Sequence, residues 1–474
     1  MNSNNVIAVI DLGSATSVGM IGYKDSDNIV HPTAYVEEPS GGCIRHGYVY
    51  NVDGTAALIR RIVSKLNKRL DDNLKIAQLY VGVGAQSLSS SEYTISRSFP
   101  DEMIISEDLI EEFVQEVEAV HSDGRETLMI MPPFFIVNGM QVLQPQGMPC
   151  REIEAVFQIV SARTSIRRNV ELAVKEANLE FAGLLVSPIG LADITLSSEE
   201  RMLGCCQIDL GAGCTSICIY KNGTLAMLQI LPMGGANVTT DLTTLRLVEA
   251  DAEALKLDSA SMIVESDKEK TLKITVPDRE TERLIKYHDI GKITSARMKE
   301  IVANIVNIIQ ISNLQNTLDA GMQIGGGGAR LNGFVDYLKK ELKAVYPIQL
   351  RRDLVAWESS EPLTEKLYTA IGLLRLGKQT CVTNERAWSD YVEAAVEPVV
   401  EESGREDEDT KLSSKESSIT IEHDDAPRGR NKQDEENDLK TDKKGNKIGT
   451  FFGDRLSKFL NMLGDGDNTD NNSK

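Results

Sequence analysis

Two short segments about 200 residues apart repeat one design, and that repetition constrains the fold more than any other feature of the chain. In "VIDLGSATSVG" an apolar strand delivers Asp11 into a turn of Gly13, Ser14, Ala15 and Thr16, and a second strand leaves it. "QIDLGAGCTSICIY" repeats the pattern with Asp209, Gly211, Gly213, Cys214 and Thr215. One such hairpin is an ordinary β-turn. Two of them, followed by the glycine-rich turn Gly326, Gly327, Gly328 in "MQIGGGGARLNGF", imply duplicated halves closing on a nucleotide. Glycines let backbone N–H groups approach phosphate oxygens with no Cβ between them. The paired aspartates can hold a hydrated Mg²⁺ that bridges those phosphates. The run of four glycines permits flat contact with a base or ribose; taken singly, it is also a flexible connection. Neither a Walker A sequence nor a Rossmann GxGxxG fingerprint occurs.

From residue 6 to about 381, β-branched runs alternate with helical patterns such as "TAALIRRIVSKLNKRL" and "SIRRNVELAVKEANLE", which predicts α/β domains with mixed or parallel sheets. Residues 86–163 break this rhythm and read as an inserted α+β subdomain, with strands around the helix "EDLIEEFVQEVEAV". Residues 242–318 form a second, helical insert carrying "SARMKEIVANIVNIIQISNLQ". The net charge of −20 argues against nonspecific nucleic-acid binding, which needs a basic surface. No run of 18 apolar residues offers a membrane-spanning helix, and the N-terminus lacks the pattern of a secretion signal. Seven cysteines, an odd number in apolar contexts without CxxC pairs, read as buried free thiols of a reducing compartment.

In the order and spacing of these loops the chain resembles the actin, heat-shock chaperone and sugar-kinase superfamily, and within it the bacterial cell-division FtsA family. "SGGCIRHGYVYNVD", "LPMGGANVTTDLTTLRLVEADAEALK" and "LYTAIGLLRLGK" are similar to that family's segments. The resemblance implies an actin-like fold of two lobes around a nucleotide cleft. It divides the chain into subdomain IA (1–85 and 164–203), inserted IC (86–163), IIA (204–241), IIB (242–318), and IIA with a helix closing onto IA (319–383). It implies ATP and Mg²⁺, with Asp11 and Asp209 near the metal through water. Gly13, Ser14, Gly211 and Gly213 would cradle phosphates, and Gly234 and Gly235 would approach the nucleotide. Glu253 and Lys256 would face the ribose, and Gly326, Gly327 and Gly328, with Arg330, would line the adenine. On residues alone, Glu253 and Lys256 also read as a solvated i,i+3 pair. The chain departs from the family at Thr16, where relatives carry Lys, and at Cys214 and Ser216, where they carry Thr and Asp. These departures weaken the case for rapid hydrolysis more than the case for binding, and no general base stands out.

Residues 384–446 hold acidic clusters and few aliphatics, so they should form a disordered linker, a tether of roughly 40–45 Å root-mean-square span. In 447–463 the apolar residues return. On a helix Ile448, Phe451, Phe452, Leu456, Phe459, Leu460, Met462 and Leu463 gather on one half, with Arg455 and Lys458 near its boundary. That pattern predicts an amphipathic segment that lies on a membrane and meets anionic lipids through its cations, followed by a disordered tail at 464–474. Docking onto the chain's own core or into a partner's groove are the other readings. Partial burial of these side chains yields roughly 8–12 kcal/mol before ordering costs, so single attachments are weak and polymerisation would multiply them. The resemblance adds the partners: self-association into filaments, the tubulin-like division protein FtsZ through its C-terminal peptide on IIB, and later division proteins through IC. It places the chain on the cytoplasmic face of the cell membrane at the division site. A sugar-type kinase and a pilus-assembly adaptor are the alternatives; the tail has no purpose in the first and is foreign to the second.

Overall fold

The computed structural model describes residues 6–384, apart from 72, 121–123, 277–280, 343 and 359–360. The expected amphipathic helix and final tail, and all of the expected linker except Asn384, lie outside the described residues. Asn384 itself ends the strand Val382–Asn384, which pairs with Leu74–Ile76, so the strand takes in the first residue of the expected linker.

Two sheets repeat one topology. In the first the order is Glu180–Val186, Gln78–Val83, Ile7–Asp11, Thr16–Lys24, Val30–Pro39. The last three form an antiparallel meander, and Ile7–Asp11 pairs in parallel with Gln78–Val83. In the second, Thr224–Leu231, Thr215–Lys221 and Cys205–Leu210 form the meander, and Met322–Gly325 and Val345–Pro347 add the parallel strands. The registers also match: Asp11 lies opposite Val18, and Asp209 opposite Ser216, seven residues on in each hairpin.

Strand alternation explains the direction of each side chain in the second hairpin. Cys206, Ile208, Leu210, Ile217 and Ile219 enter one apolar core, whereas Cys205, Cys218 and Tyr220 enter the core shared with the first lobe. Both faces are covered, which is why these strands read as continuous apolar runs. Gln207 and Asp209 share the face of Cys205, and so point toward the first lobe.

Helices hold the first sheet in place. The helix Val52–Asn67 starts at Asn51, whose side chain accepts from Gly54 N at 2.8 Å, and it buries Leu58, Ile59, Ile62 and Leu66 at helical spacing. Tyr368–Leu376 crosses Ser187–Thr195 at a close approach: a Cβ on Gly372 would stand 2.0 Å from Gly190 O. This crossing fixes the start of Ser187–Thr195 against the end of the strand Ile7–Asp11.

The residues of the first insert form strands Ser89–Ile104, Arg125–Ile130, Phe134–Val137, Met140–Val142 and Pro149–Arg163 around the helix Glu107–Glu118, with a core that includes Phe113, Phe135 and Phe157. Its long strand joins the edge of the second sheet through the pair Gln229–Ser89, so the two make one continuous sheet. Arg125 pins the base: Nε donates to Ser161 Oγ (3.0 Å), and Nη2 donates to Ser87 O (3.0 Å), Ser89 Oγ (2.9 Å) and Ser161 O (2.8 Å). The second insert is helical as expected, with Glu249–Ser259 and Tyr287–Ile311, but it also carries the hairpin Thr271–Val276 and Thr281–Lys286. All seven cysteines are free, and only Cys214 is partly exposed.

Candidate nucleotide cleft

The first and second hairpins meet at a cavity of about 280 Å³. Asp11, Gly13, Ser14, Ala15 and Thr16 line it from one lobe, and Asp209, Gly211, Gly213 and Cys214 from the other. Gly327 of the third loop reaches it too. A smaller cavity of about 120 Å³ adjoins it, sharing Asp209, Gly211 and Gly327 and bounded by Gly326, Arg330 and Glu365. The structure therefore brings together most of the residues expected from sequence.

Two carbonyls of each hairpin are bound from behind. In the first lobe Ser40 N donates to Ala15 O (2.9 Å) and Ser40 Oγ to Gly13 O (2.7 Å). In the second, Gly235 N donates to Gly211 O (2.9 Å) and Ala236 N to Ala212 O (2.8 Å). Gly234 thus has a supporting place behind the hairpin, where a Cβ would stand 2.5 Å from Gly211 O. Within the turns Gly13 N donates to Asp11 O (3.3 Å) and Gly211 N to Cys214 O (2.9 Å), and a turn that gathers backbone N–H groups in a concavity favours anions.

Both carboxyls are shifted by their surroundings. Burial pushes the Asp11 carboxyl up to about 6, opposed by the Ser187 hydroxyl, which donates to Oδ1 at 2.6 Å. Burial pushes Asp209 up to about 7, helped by the charges of Asp11 and Glu365. Negative charge held away from water in this way is relieved by a divalent cation. Among the described residues no group of three His, Cys, Asp or Glu is placed to grip a metal directly. The donor set fits a hydrated ion whose remaining ligands are water and ligand oxygens.

Three expectations change. Thr215 is fully buried and turned from the cavity: alternation puts it on the face of Ile217 and Ile219, and its hydroxyl donates to Met233 O at 2.8 Å. Ser216, on the opposite face, lines the cavity instead. Lys256 is not half of a solvated pair, since its side chain is 12% exposed against 43% for Glu253. Its ammonium donates to Glu253 Oε2 (2.6 Å), Thr239 Oγ1 (2.9 Å) and Gly235 O (3.3 Å), which ties two helices to the second hairpin. The third loop is also partly engaged already: Glu365 Oε1 accepts from Gly326 N at 2.6 Å, and Arg330 lies 3.8 Å from its other oxygen. Gly328 packs on Leu210.

Sequence reading missed Ser187, Glu365, Lys366 and His46. Glu365 lies two residues before the segment "LYTAIGLLRLGK", and its position at a helix start was the available signal. His46 lay inside a quoted segment, but nothing local revealed its partner.

Duplicated lobes with matched Asp–Gly hairpins facing a shared cavity define an actin-like fold. In agreement, the chain aligns with a solved structure described as the PilM–PilN type IV pilus biogenesis complex, with a TM-score of 0.54 at 16% identity, over 78% of this chain and 98% of that one. Residues 206–371 match the family model "Cell division protein FtsA", and residues 85–161 match that of the SHS2 domain inserted in FtsA. The cell division protein FtsA of Porphyromonas gingivalis is 38% identical over 99% of each chain, and that of Neisseria meningitidis 26% identical over 78% of this chain and 89% of its own. The chain belongs to the FtsA family of actin-like cell-division proteins.

Proposed function

We propose that this chain is an ATP-binding, filament-forming protein that holds the division protein FtsZ to the cytoplasmic face of the cell membrane. The observation that carries the proposal is the cavity between two glycine hairpins, lined by the partly buried carboxylates of Asp11 and Asp209. The N–H groups of the 13–16 and 211–214 turns hold the phosphates, and the third loop meets the base. Asp11 and Asp209 hold Mg²⁺ through water, and the ion neutralises phosphate charge when bound. Lys256 and Glu253 brace the second hairpin on the ribose side.

Attachment to lipid belongs to residues 447–463, by the amphipathic pattern of Ile448, Phe451, Phe452, Leu456, Phe459, Leu460 and Leu463. Among the described residues no helix is long and apolar enough to cross a membrane, which fits attachment by a helix lying on the surface. Residues 242–318 receive the FtsZ peptide, and the first insert supplies contacts for self-association and for later division proteins.

Co-sedimentation with vesicles containing anionic lipid, with and without Mg·ATP, tests the reading. Full-length protein is expected to pellet more with Mg·ATP, as filaments multiply weak attachments, and a variant lacking 447–463 is expected to stay in the supernatant. Pelleting unchanged by that deletion would sink the anchor, and Asp209→Ala binding ATP as tightly as wild type would sink the cleft assignment.

A further inference from the structure

The carbonyls of the second hairpin are satisfied one by one. Gly211 O, Ala212 O and Cys214 O accept from Gly235 N, Ala236 N and Gly211 N at 2.8–2.9 Å, all donors of the same lobe. Gly213 O is met from the opposite lobe, by His46 Nδ1 at 2.7 Å. A carbonyl oxygen only accepts, so Nδ1 carries a hydrogen whether the ring is neutral or charged. The next residue is tied to the first hairpin of its own lobe, since Gly47 N donates to Ser14 Oγ at 3.1 Å. Ser14 in turn lies against Gly213, where an added Cβ would stand 2.5 Å from Ser14 Oγ and 3.1 Å from His46 N. His46 is held at φ +48°, a region that side chains with a Cβ occupy seldom and at a cost. A strained residue whose ring crosses the cleft to the last open carbonyl of the hairpin has a role beyond packing.

We propose that His46 is a positioning residue that latches the two hairpins together and thereby sets the rate at which a bound nucleotide escapes. The proposal rests on the nucleotide reading of the cavity and adds the residue that controls exchange. A ligand between the hairpins leaves when the lobes part, and parting breaks the His46–Gly213 bond. Losing one such hydrogen bond accelerates release by about threefold to tenfold.

Stopped-flow release of N-methylanthraniloyl-ATP with Mg²⁺, chased by excess ATP, reads this on the full chain. His46→Leu removes the donor and is expected to release threefold to tenfold faster, whereas His46→Gln restores an N–H donor and is expected to stay within about twofold of wild type. Equal rates in all three proteins, or His46→Gln as fast as His46→Leu, overturn the latch. Hydrogen–deuterium exchange of nucleotide-free protein gives an independent arm: residues 210–216 exchange faster in His46→Leu and at the wild-type rate in His46→Gln. Identical exchange in all three overturns the latch even if ATP binds. Wild type that holds no labelled ATP overturns the nucleotide reading and the control of release with it, while the exchange arm still decides the latch.

Discussion

Asp11 and Asp209 lie at the same register near the ends of equivalent strands, and each lies opposite a glycine of its parallel neighbour, Gly82 for the first and Gly325 for the second. Those glycines leave room at the strand ends: a Cβ on Gly82 would stand 2.8 Å from Ser187 Oγ, and one on Gly325 would stand 2.8 Å from Glu365 Oε1. Two partly buried carboxylates thus share one cavity, and their charge has measurable consequences.

Both carboxyls bind protons more tightly in the folded protein than in the unfolded chain, where an aspartate titrates near 4. Their contribution to stability is therefore most favourable below about pH 4 and declines as pH rises through about 6 and 7. Asp209→Asn removes part of that decline. In metal-free buffer its thermal midpoint relative to wild type is expected to rise between pH 5 and pH 8, and Mg·ATP is expected to erase the advantage. A difference that stays constant across this range contradicts the account.

Neighbouring glycines of the third loop should behave differently. Gly326 sits at φ +92°, and a Cβ there would stand 2.4 Å from Leu210 O and 2.5 Å from Asp209 Oδ1. Gly326→Ala is expected to cost about 1–3 kcal/mol in urea unfolding from backbone strain alone. Gly327 has open space where its Cβ would go, so Gly327→Ala is expected to leave stability within about 0.5 kcal/mol while weakening ATP binding by intruding on the cavity.

Lys256 and Glu253 are unequal partners. Lys256→Met removes the ammonium's bonds to Gly235, Thr239 and Glu253, of which Thr239 and Glu253 keep a bond to each other, and is expected to cost about 1–3 kcal/mol and weaken ATP binding. Glu253→Gln, at the more exposed end of the pair, is expected to cost less than about 1 kcal/mol. Urea unfolding paired with ATP titration of both variants checks the ranking.

Arg125 holds the base of the first insert by geometry rather than by charge. A lysine cannot reproduce its fan of bonds to Ser87, Ser89 and Ser161. Arg125→Lys is expected to raise hydrogen exchange in residues 86–105 and 149–163 several-fold, with little change around Asp11 and Asp209. Uniform acceleration across the chain would show a general loss of stability instead.

The local patterns were readable because their causes are local. The DLG hairpins, the helix Val52–Asn67 and the helix Glu107–Glu118 follow from glycine turns, capping residues and apolar spacing within a dozen positions. The hairpin of the second insert was legible too: "TLKITV" alternates, but the long helical pattern beside it drew the reading toward an all-helical insert.

By itself the sequence determined that this protein has two matching halves, which residue types surround the cleft, and that apolar residues return in an amphipathic pattern at 447–463. Only tertiary structure decided which side chains cross between the halves. Period-two alternation turned Thr215 inward and left Ser216 at the cavity, while chain packing brought His46 to Gly213 and Glu365 to Gly326. Those last two contacts join residues 167 and 39 positions apart, and no pattern within a helix or a strand encodes a partner at such a distance.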